Sequence, residues 1–196
     1  MINLISQDPP KCVDIDGHSY PVVTDFKSWL NFIALSKDPE IEPAIALEIM
    51  LDMYTDRVPQ DIEKAVSGLN NFLIGAVYDS KGGGSNKTID VQVIDYTRDS
   101  GLILAAFLET YGINLIKTDL HWWVFLALLS GISKDTALGQ IMGYRAVDTS
   151  KLKGEQKKFY EKMKKQHALK ETKRYKTAQE RENDFVAKHK KRKGVG

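Results

Sequence analysis

Apolar and polar residues alternate over residues 13–22, on both sides of the pair Asp16-Gly17. Alternation with a period of two is typical of a half-buried strand, and Asp-Gly readily adopts the positive φ angles of a two-residue turn. Pro21 cannot donate a backbone hydrogen bond to a neighbouring strand, so we expect its strand to lie at an edge. The pattern therefore predicts a β-hairpin near the N-terminus.

Three segments with apolar residues at helical spacing follow the hairpin. The first is predicted to begin after Thr24 or Asp25, the second at Asp38-Pro39-Glu40, and the third after Val58 with Pro59 in its first turn. The apolar residues that mark them are Phe26, Trp29, Leu30 and Ile33, then Ile41, Ile45, Ile49 and Met53, then Ile62, Val66, Leu69, Phe72 and Leu73.

The same spacing returns in the second half of the chain. It predicts a helix that is stopped by Gly112, a helix capped by Thr118 or Asp119, and a short helix capped by Ser133. A short strand is predicted at residues 89–93. Together these elements predict a mainly α fold with a small N-terminal β-hairpin, in the α+β class.

Charge divides the chain into two parts. The net charge of +2 is the sum of −9 over residues 1–150, with 11 Lys/Arg against 20 Asp/Glu, and +11 over residues 151–196, with 17 against 6. We therefore expect an acidic, mainly helical body at 1–150, and at 151–196 a basic arm that is partly helical and whose end is disordered.

Residues 79–88 are rich in Gly, Ser and Lys and predict a flexible loop within the body. A phosphate-binding loop requires Gly-Lys-Ser/Thr at a fixed spacing after a buried strand, and here Lys87-Thr88 follows Asn86 instead. The sequence therefore favours a solvated loop over a nucleotide site.

Candidate catalytic and metal-binding residues are few and scattered. Cys12 is the single cysteine, and no base is placed to activate it, so a half-buried small residue is the expectation. Asp16 is explained by the hairpin turn, and Asp95 by a helix cap. The histidines are His18, His121, His167 and His189. No two of them are spaced i,i+3 or i,i+4, the spacing that would place two metal ligands on one helix face. We expect no enzymatic activity, no metal and no cofactor.

The string His121-Trp122-Trp123-Val124-Phe125 is the most unusual one in the chain. Adjacent helical residues point about 100° apart, so at most one of the tryptophans faces the centre of a core. Both could pack inside a small helical domain. Alternatively, Trp122, Trp123 and Phe125 bind a partner or a second subunit, since Trp is enriched at interface hot spots.

The basic end contains a second candidate binding site, at Lys188, Lys190, Lys191, Arg192 and Lys193. Such a cluster neutralises phosphates in a salt-sensitive way, or docks on an acidic protein surface. No recognisable nucleic-acid module accompanies it, so protein docking or a plain solubility tail ranks above nucleic acid. The longest apolar run, residues 120–132, is shorter than the roughly 20 residues of a membrane span, so we expect a soluble protein with no membrane partner.

Several short strings occur in an order that resembles the bacteriophage gene product fifteen family of long-tailed phages and prophages of Gram-positive bacteria. They are Val13-Asp14-Ile15-Asp16-Gly17, Tyr20-Pro21, Thr24-Asp25-Phe26, Ala105-Ala106-Phe107-Leu108, Tyr111-Gly112-Ile113, Leu120-His121-Trp122-Trp123, Ile141-Met142-Gly143-Tyr144-Arg145 and Gln156-Lys157-Lys158-Phe159-Tyr160. The resemblance extends to about Leu169, and it offers no catalytic or binding residues to carry over.

This resemblance implies a tail assembly chaperone, because genes of the family usually lie between the tail-tube and tape-measure genes. The implied role is non-enzymatic: the protein holds the tape-measure protein soluble in the host cytoplasm while the tube assembles, and is absent from the mature virion. Implied further partners are a frameshift-extended form or a second copy of the chain, and the tail-tube protein. The alternatives are a structural tail or neck component of the virion, or a nucleic-acid-binding protein that acts through the basic arm.

Overall fold

The computed structural model of the chain describes residues 4–75 and 93–169, which form a mainly helical fold with one N-terminal β-hairpin, as the sequence predicts. In chain order the elements are β1 (Cys12–Ile15), β2 (His18–Pro21), α1 (Phe26–Ser36), α2 (Pro43–Leu51), α3 (Ile62–Ile74), α4 (Ser100–Tyr111), α5 (Trp122–Ser130), α6 (Ala137–Ala146), a 3₁₀ turn (Thr149–Lys151) and α7 (Gly154–Gln166). The predicted loop at 79–88, most of the predicted strand at 89–93 and the basic cluster at 188–193 lie outside the described residues.

The predicted hairpin is confirmed. β1 and β2 pair antiparallel, with Ile15 opposite His18, and Asp16 and Gly17 form the turn with φ angles of 51° and 77°. The turn is tied to α3 because Lys64 Nζ lies 2.6 Å from the Asp16 carboxylate. The sheet thereby fixes the N-terminal segment against the helical body.

Two of the first three helices begin later than predicted, and proline explains the larger shift. A residue before proline is driven out of the helical region, and Glu42, which precedes Pro43, is extended with ψ of 145°. Asp38 instead closes a separate turn, in which its Oδ1 accepts from the Glu40 N–H at 2.9 Å. Helix α1 is capped by Asp25 as predicted, whereas α3 is capped by Asp61 and begins after Pro59.

Two later helix starts were also predicted wrongly. α5 is capped by His121 rather than by Thr118 or Asp119, because His121 is held extended by its pairing with Asp25, in which the Leu120 carbonyl accepts from the Phe26 N–H and the Trp122 N–H donates to the Thr24 carbonyl. α6 is capped by Thr136, because Ser133 is used in the preceding turn. The end of α4 at Gly112, with φ of 68°, is as predicted.

Two glycines of α6 provide a matched stability prediction. A Cβ on Gly143 would meet nothing within 4 Å, whereas a Cβ on Gly139 would overlap the Ser133 carbonyl oxygen and lie 2.7 Å from Lys134 Cα. We expect Gly143→Ala to stabilise the chain by about 0.5–1 kcal/mol, since it removes backbone freedom from the unfolded state. We expect Gly139→Ala to destabilise it by about 1–3 kcal/mol through overpacking against backbone. Urea unfolding of both variants measures the difference, and equal effects would contradict it.

The core is built largely from stacked aromatic rings. Phe125 lies at its centre, with ring-centroid distances of 4.9 Å to Phe26, 5.4 Å to Phe107 and 5.6 Å to Trp122. Trp122, Trp123 and Phe125 are 1%, 9% and 0% exposed. Both indole N–H groups donate to the end of α3: that of Trp122 to the Leu73 carbonyl and that of Trp123 to the Phe72 carbonyl, each at 2.8 Å. The structure therefore favours core packing over partner binding for these three side chains.

His121 joins three parts of the chain. Its Nδ1 accepts a hydrogen bond from the Trp123 N–H at 3.0 Å, and its Nε2 lies 2.8 Å from the carbonyl oxygen of Pro10. Because the first contact requires a lone pair and the second a proton, the geometry selects the neutral tautomer with hydrogen on Nε2. A protonated ring would lose the helix cap.

The pKa of His121 is lowered, chiefly by burial and further by nearby Lys11, while the hydrogen bond to the Pro10 carbonyl partly opposes the shift. A His pKa below its unfolded value of about 6.5 contributes stability that is complete above that pH and is lost as the pH falls through the folded pKa. We expect the free energy of unfolding to fall as the pH falls below about 6.5. His121→Asn keeps a capping oxygen but does not titrate, so urea unfolding of this variant should change less with pH; the same pH response in both proteins would refute the assignment.

Candidate partner-binding groove

Two neighbouring pockets lie along α1 and share the lining residue Tyr96, and we call them together the α1 groove and each of them a chamber. The first, the apolar chamber, has a volume of about 520 Å³, within the range of about 300–1,000 Å³ that is usual for binding pockets. Its lining is mostly aliphatic and aromatic: Phe26, Lys27, Leu30, Tyr96, Ser100, Gly101, Ile103, Leu104, Leu115, Ile116 and Phe125. Of the predicted partner-binding residues that the structure describes, only Phe125 contributes to this chamber.

The apolar chamber is open because the lining residues at the start of α4, Ser100 and Gly101, are small and leave space beside the aliphatic residues of the lining. Gly101 carries no side chain, and a Cβ there would meet nothing within 4 Å. On the opposite rim, Ile116 is 71% exposed in the connection between α4 and α5. Lys27 holds this rim to α1 through hydrogen bonds to the Ile116 carbonyl at 3.4 Å and to Asp119 at 3.0 Å. The chamber thus presents apolar surface to solvent beside one exposed ion pair.

The second, the polar chamber, has a volume of about 540 Å³ and begins at Tyr96, which lines both chambers. Its other lining residues are Ile33, Ala34, Leu35, Lys37, Asp38, Pro39, Asp95, Thr97 and Arg98. Because residues from both ends of α1 contribute, the two chambers follow the helix for about 16 Å at 1.5 Å per residue. This is the length of a partner helix of about three turns.

A buried ion pair fixes the segment of residues 95–101, here called the chamber wall, which contributes lining residues to both chambers. Asp99 and Arg145 are 2% and 6% exposed, and they form two hydrogen bonds, of 2.6 Å and 2.9 Å. Arg145 also donates to the Val93 carbonyl and to the His167 carbonyl, at 2.9 Å and 2.7 Å. One guanidinium therefore joins the segment before α4 to the end of α7.

Asp99 is ionised in this arrangement. Burial has the largest single effect and raises its pKa, but hydrogen bonds from Arg145 and from the Asp95 N–H, with the charges of Arg145 and Arg98, outweigh it and hold the pKa below its usual range. Asp95 was expected to cap a helix; its carboxylate instead accepts from the Thr97 and Arg98 N–H groups in the turn before α4. The chamber wall is therefore a turn that Asp95 caps and that the buried Asp99–Arg145 pair holds in place.

The end of α7 lies against this wall. The Arg98 guanidinium donates to the Ala168 carbonyl at 3.1 Å, and the Lys164 ammonium donates to the Val147 carbonyl at 2.9 Å. His167 is half-buried and stacks on Tyr144 at 5.8 Å. α7 is therefore packed on α6. The contact with Arg98 places Ala168 beside the polar chamber.

Sequence reasoning missed most of the groove. Tyr96 and Ile116 lie in connections, where no periodicity identifies a shared surface, and Gly101 contributes no side chain to a periodic pattern. One signal was present: the aliphatic pair Leu115-Ile116 stands between the polar residues Asn114 and Lys117 of a connection. Cys12 is half-buried, as expected.

Two further classes of site are not found in the described part of the chain. Over residues 4–75 and 93–169, no three His, Cys, Asp or Glu side chains form a group that could hold a metal ion. Across the same residues, no helix combines the length and apolar character that a membrane span requires.

Comparison with protein families matches residues 5–169 to the family described as Bacteriophage Gp15 protein. Searches of curated proteins and of solved structures gave no significant match. The family match covers β1 to α7 and both chambers of the groove. The chain therefore belongs to the Bacteriophage Gp15 family, and this membership indicates a phage protein with a structural or tail-related role.

Proposed function

We propose that this protein is a tail assembly chaperone that binds the tape-measure protein through the α1 groove and keeps it soluble in the host cytoplasm. The observation that carries the proposal is the apolar chamber, an open pocket of about 520 Å³ in a member of a phage family. The role requires binding and release rather than catalysis, and the chaperone leaves before the virion is complete.

The groove has the form that a helical partner requires. An amphipathic helix binds in a groove through apolar residues spaced three and four positions apart. The apolar chamber accepts such anchors between Leu30, Leu104 and Ile116, and the polar chamber meets the flanking polar residues with Lys37, Asp38, Asp95 and Arg98. A tape-measure protein is a long, helix-rich chain, so it offers segments of this kind.

Gly101→Leu is expected to block binding without harming the fold, because the new side chain enters open space in the apolar chamber. Its control is Gly143→Leu, the same change in a helix at a glycine that also has open space and lines neither chamber. On co-expression with the tape-measure protein, we expect the amount of soluble tape-measure protein to fall severalfold with Gly101→Leu only.

Equal recovery with both variants, in proteins whose urea unfolding is unchanged, would refute the groove as the binding site. Analysis of purified virions tests the role itself. A chaperone is missing from the particles, whereas a structural tail or neck component is present at a fixed copy number, and that result would replace the proposal.

A further inference from the structure

Helix α2 has a solvent-facing side, here called the α2 face, that the described residues leave uncovered. Ile45 and Leu47, which are two positions apart and therefore lie on different flanks of the helix, are 47% and 38% exposed. Leu35, near the end of α1 and in the lining of the polar chamber, is 40% exposed. Single exposed aliphatic residues are common on protein surfaces, so the charges around them decide which partner this face can bind.

Charge limits the partner to a basic one. Residues 38–56 contain no Lys or Arg but six acidic side chains, all of them exposed: Asp38, Glu40, Glu42, Glu48, Asp52 and Asp56. Two copies of this face would place like charges together, which disfavours its pairing with itself. A partner segment with basic side chains and a few apolar ones can pair with these carboxylates and pack on the exposed aliphatic groups.

The chain itself contains such a segment, and it begins close by. Residues 170–196 carry ten Lys/Arg and four Asp/Glu, a net charge of +6, and include Tyr175, Phe185 and Val186. Residue 170 lies two positions after Ala168, whose carbonyl oxygen accepts a hydrogen bond from Arg98 in the lining of the polar chamber. Asp38 and Pro39, at the approach to α2, line the same chamber.

We propose that residues 170–196 dock on the α2 face of their own chain. The 27 residues span up to about 90 Å when extended, far more than the distance along a helix of nine residues. A tethered segment acts at an effective concentration in the millimolar range, so weak contacts suffice and a second copy competes poorly. The docked segment covers Ile45 and Leu47 and neutralises part of the acidic surface.

Zero-length carbodiimide crosslinking of the purified full-length chain tests this docking, because it joins lysine amines only to carboxylates in direct contact. We expect crosslinks from lysines of residues 170–196 to Asp38, Glu40, Glu42 or Glu48. They should be intramolecular in a mixture of ¹⁴N- and ¹⁵N-labelled protein, and their yield should fall severalfold at high salt.

The matched variants are Glu48→Lys and Glu109→Lys. Both replace an exposed glutamate near the end of a helix, in α2 and α4, and Glu109 lines neither chamber. Glu48→Lys should lower the yield of the remaining crosslinks to Asp38, Glu40 and Glu42 severalfold, and Glu109→Lys should leave it unchanged. Ile45→Ser should lower the same yield without a change of charge.

Three outcomes would overturn the proposal. Crosslinks between ¹⁴N and ¹⁵N chains would assign the face to a second copy, and crosslinks spread evenly over all exposed carboxylates would show that the segment does not dock. Crosslinks that appear only after nuclease treatment would mean that the segment binds nucleic acid instead. Because the assay uses the chain alone, its result is independent of whether the tape-measure protein binds the α1 groove.

Discussion

Replacing Arg145 with methionine is expected to lower the free energy of unfolding by about 3–5 kcal/mol. Arg145 is 6% exposed, and its guanidinium is the partner of the Asp99 carboxylate, which is itself buried. Methionine fills similar volume but leaves that carboxylate without its charged partner and with only the Asp95 N–H as donor, and it leaves the carbonyls of Val93 and His167 without the guanidinium. For a domain of typical stability, about 5–15 kcal/mol, this is a large fraction of the total.

The loss of stability should first appear as local opening around Arg145, before the whole chain unfolds. Arg145 connects the segment before α4 to the end of α7, so amide hydrogen exchange should accelerate first around residues 93–99 and 163–168. The control is the double variant Arg145→Met with Asp99→Leu, which removes both charges and should recover part of the stability. A single-variant loss below about 1 kcal/mol in urea unfolding would show that the pair contributes no more than a surface ion pair.

Trp122→Ala is expected to destabilise the chain by about 3–5 kcal/mol, the usual cost of removing a large aromatic ring from a core. The Trp122 ring is 1% exposed and stacks at 6.2 Å on Trp29, and its N–H satisfies the Leu73 carbonyl at the end of α3. The substitution therefore creates a cavity and also leaves a carbonyl unpaired. Equilibrium unfolding followed by near-ultraviolet circular dichroism measures both the loss and the disordering of the aromatic core.

Two further variants separate packing from binding. Trp122→Phe keeps an aromatic ring but loses the N–H group. It should therefore lower the free energy of unfolding by less than Trp122→Ala does. Ile116→Ala removes an apolar side chain that is 71% exposed, and should change stability by less than about 0.5 kcal/mol. If Trp122→Ala retained full stability and lost only partner binding, the indole would have to act as a surface anchor after all.

The positions of the helix starts show how far local sequence determines this fold. Asp25 and Gly112 were predicted correctly, because a capping carboxylate and a glycine with positive φ act within a few residues of their own position. The start of α2 is also encoded locally, by Pro43. The prediction placed it instead at Asp38-Pro39, where the local signal is equally reasonable. Histidine caps less often than Thr or Asp, so the start of α5 after His121 followed only from the contact of His121 with Pro10 and its pairing with Asp25.

The sequence by itself determined the helical class, the Asp16-Gly17 hairpin and the family, because periodicity, turn residues and short ordered strings are read along the chain. Only the tertiary structure decided that Trp122 and Trp123 serve the core, that Arg145 meets Asp99 from 46 residues away, and that α1, α4 and the connection to α5 enclose a groove. The physical reason is that burial and cavities depend on which distant surfaces meet. Gly139 and Gly143 show this most directly: they are identical residues in one helix, and one faces backbone while the other faces open space.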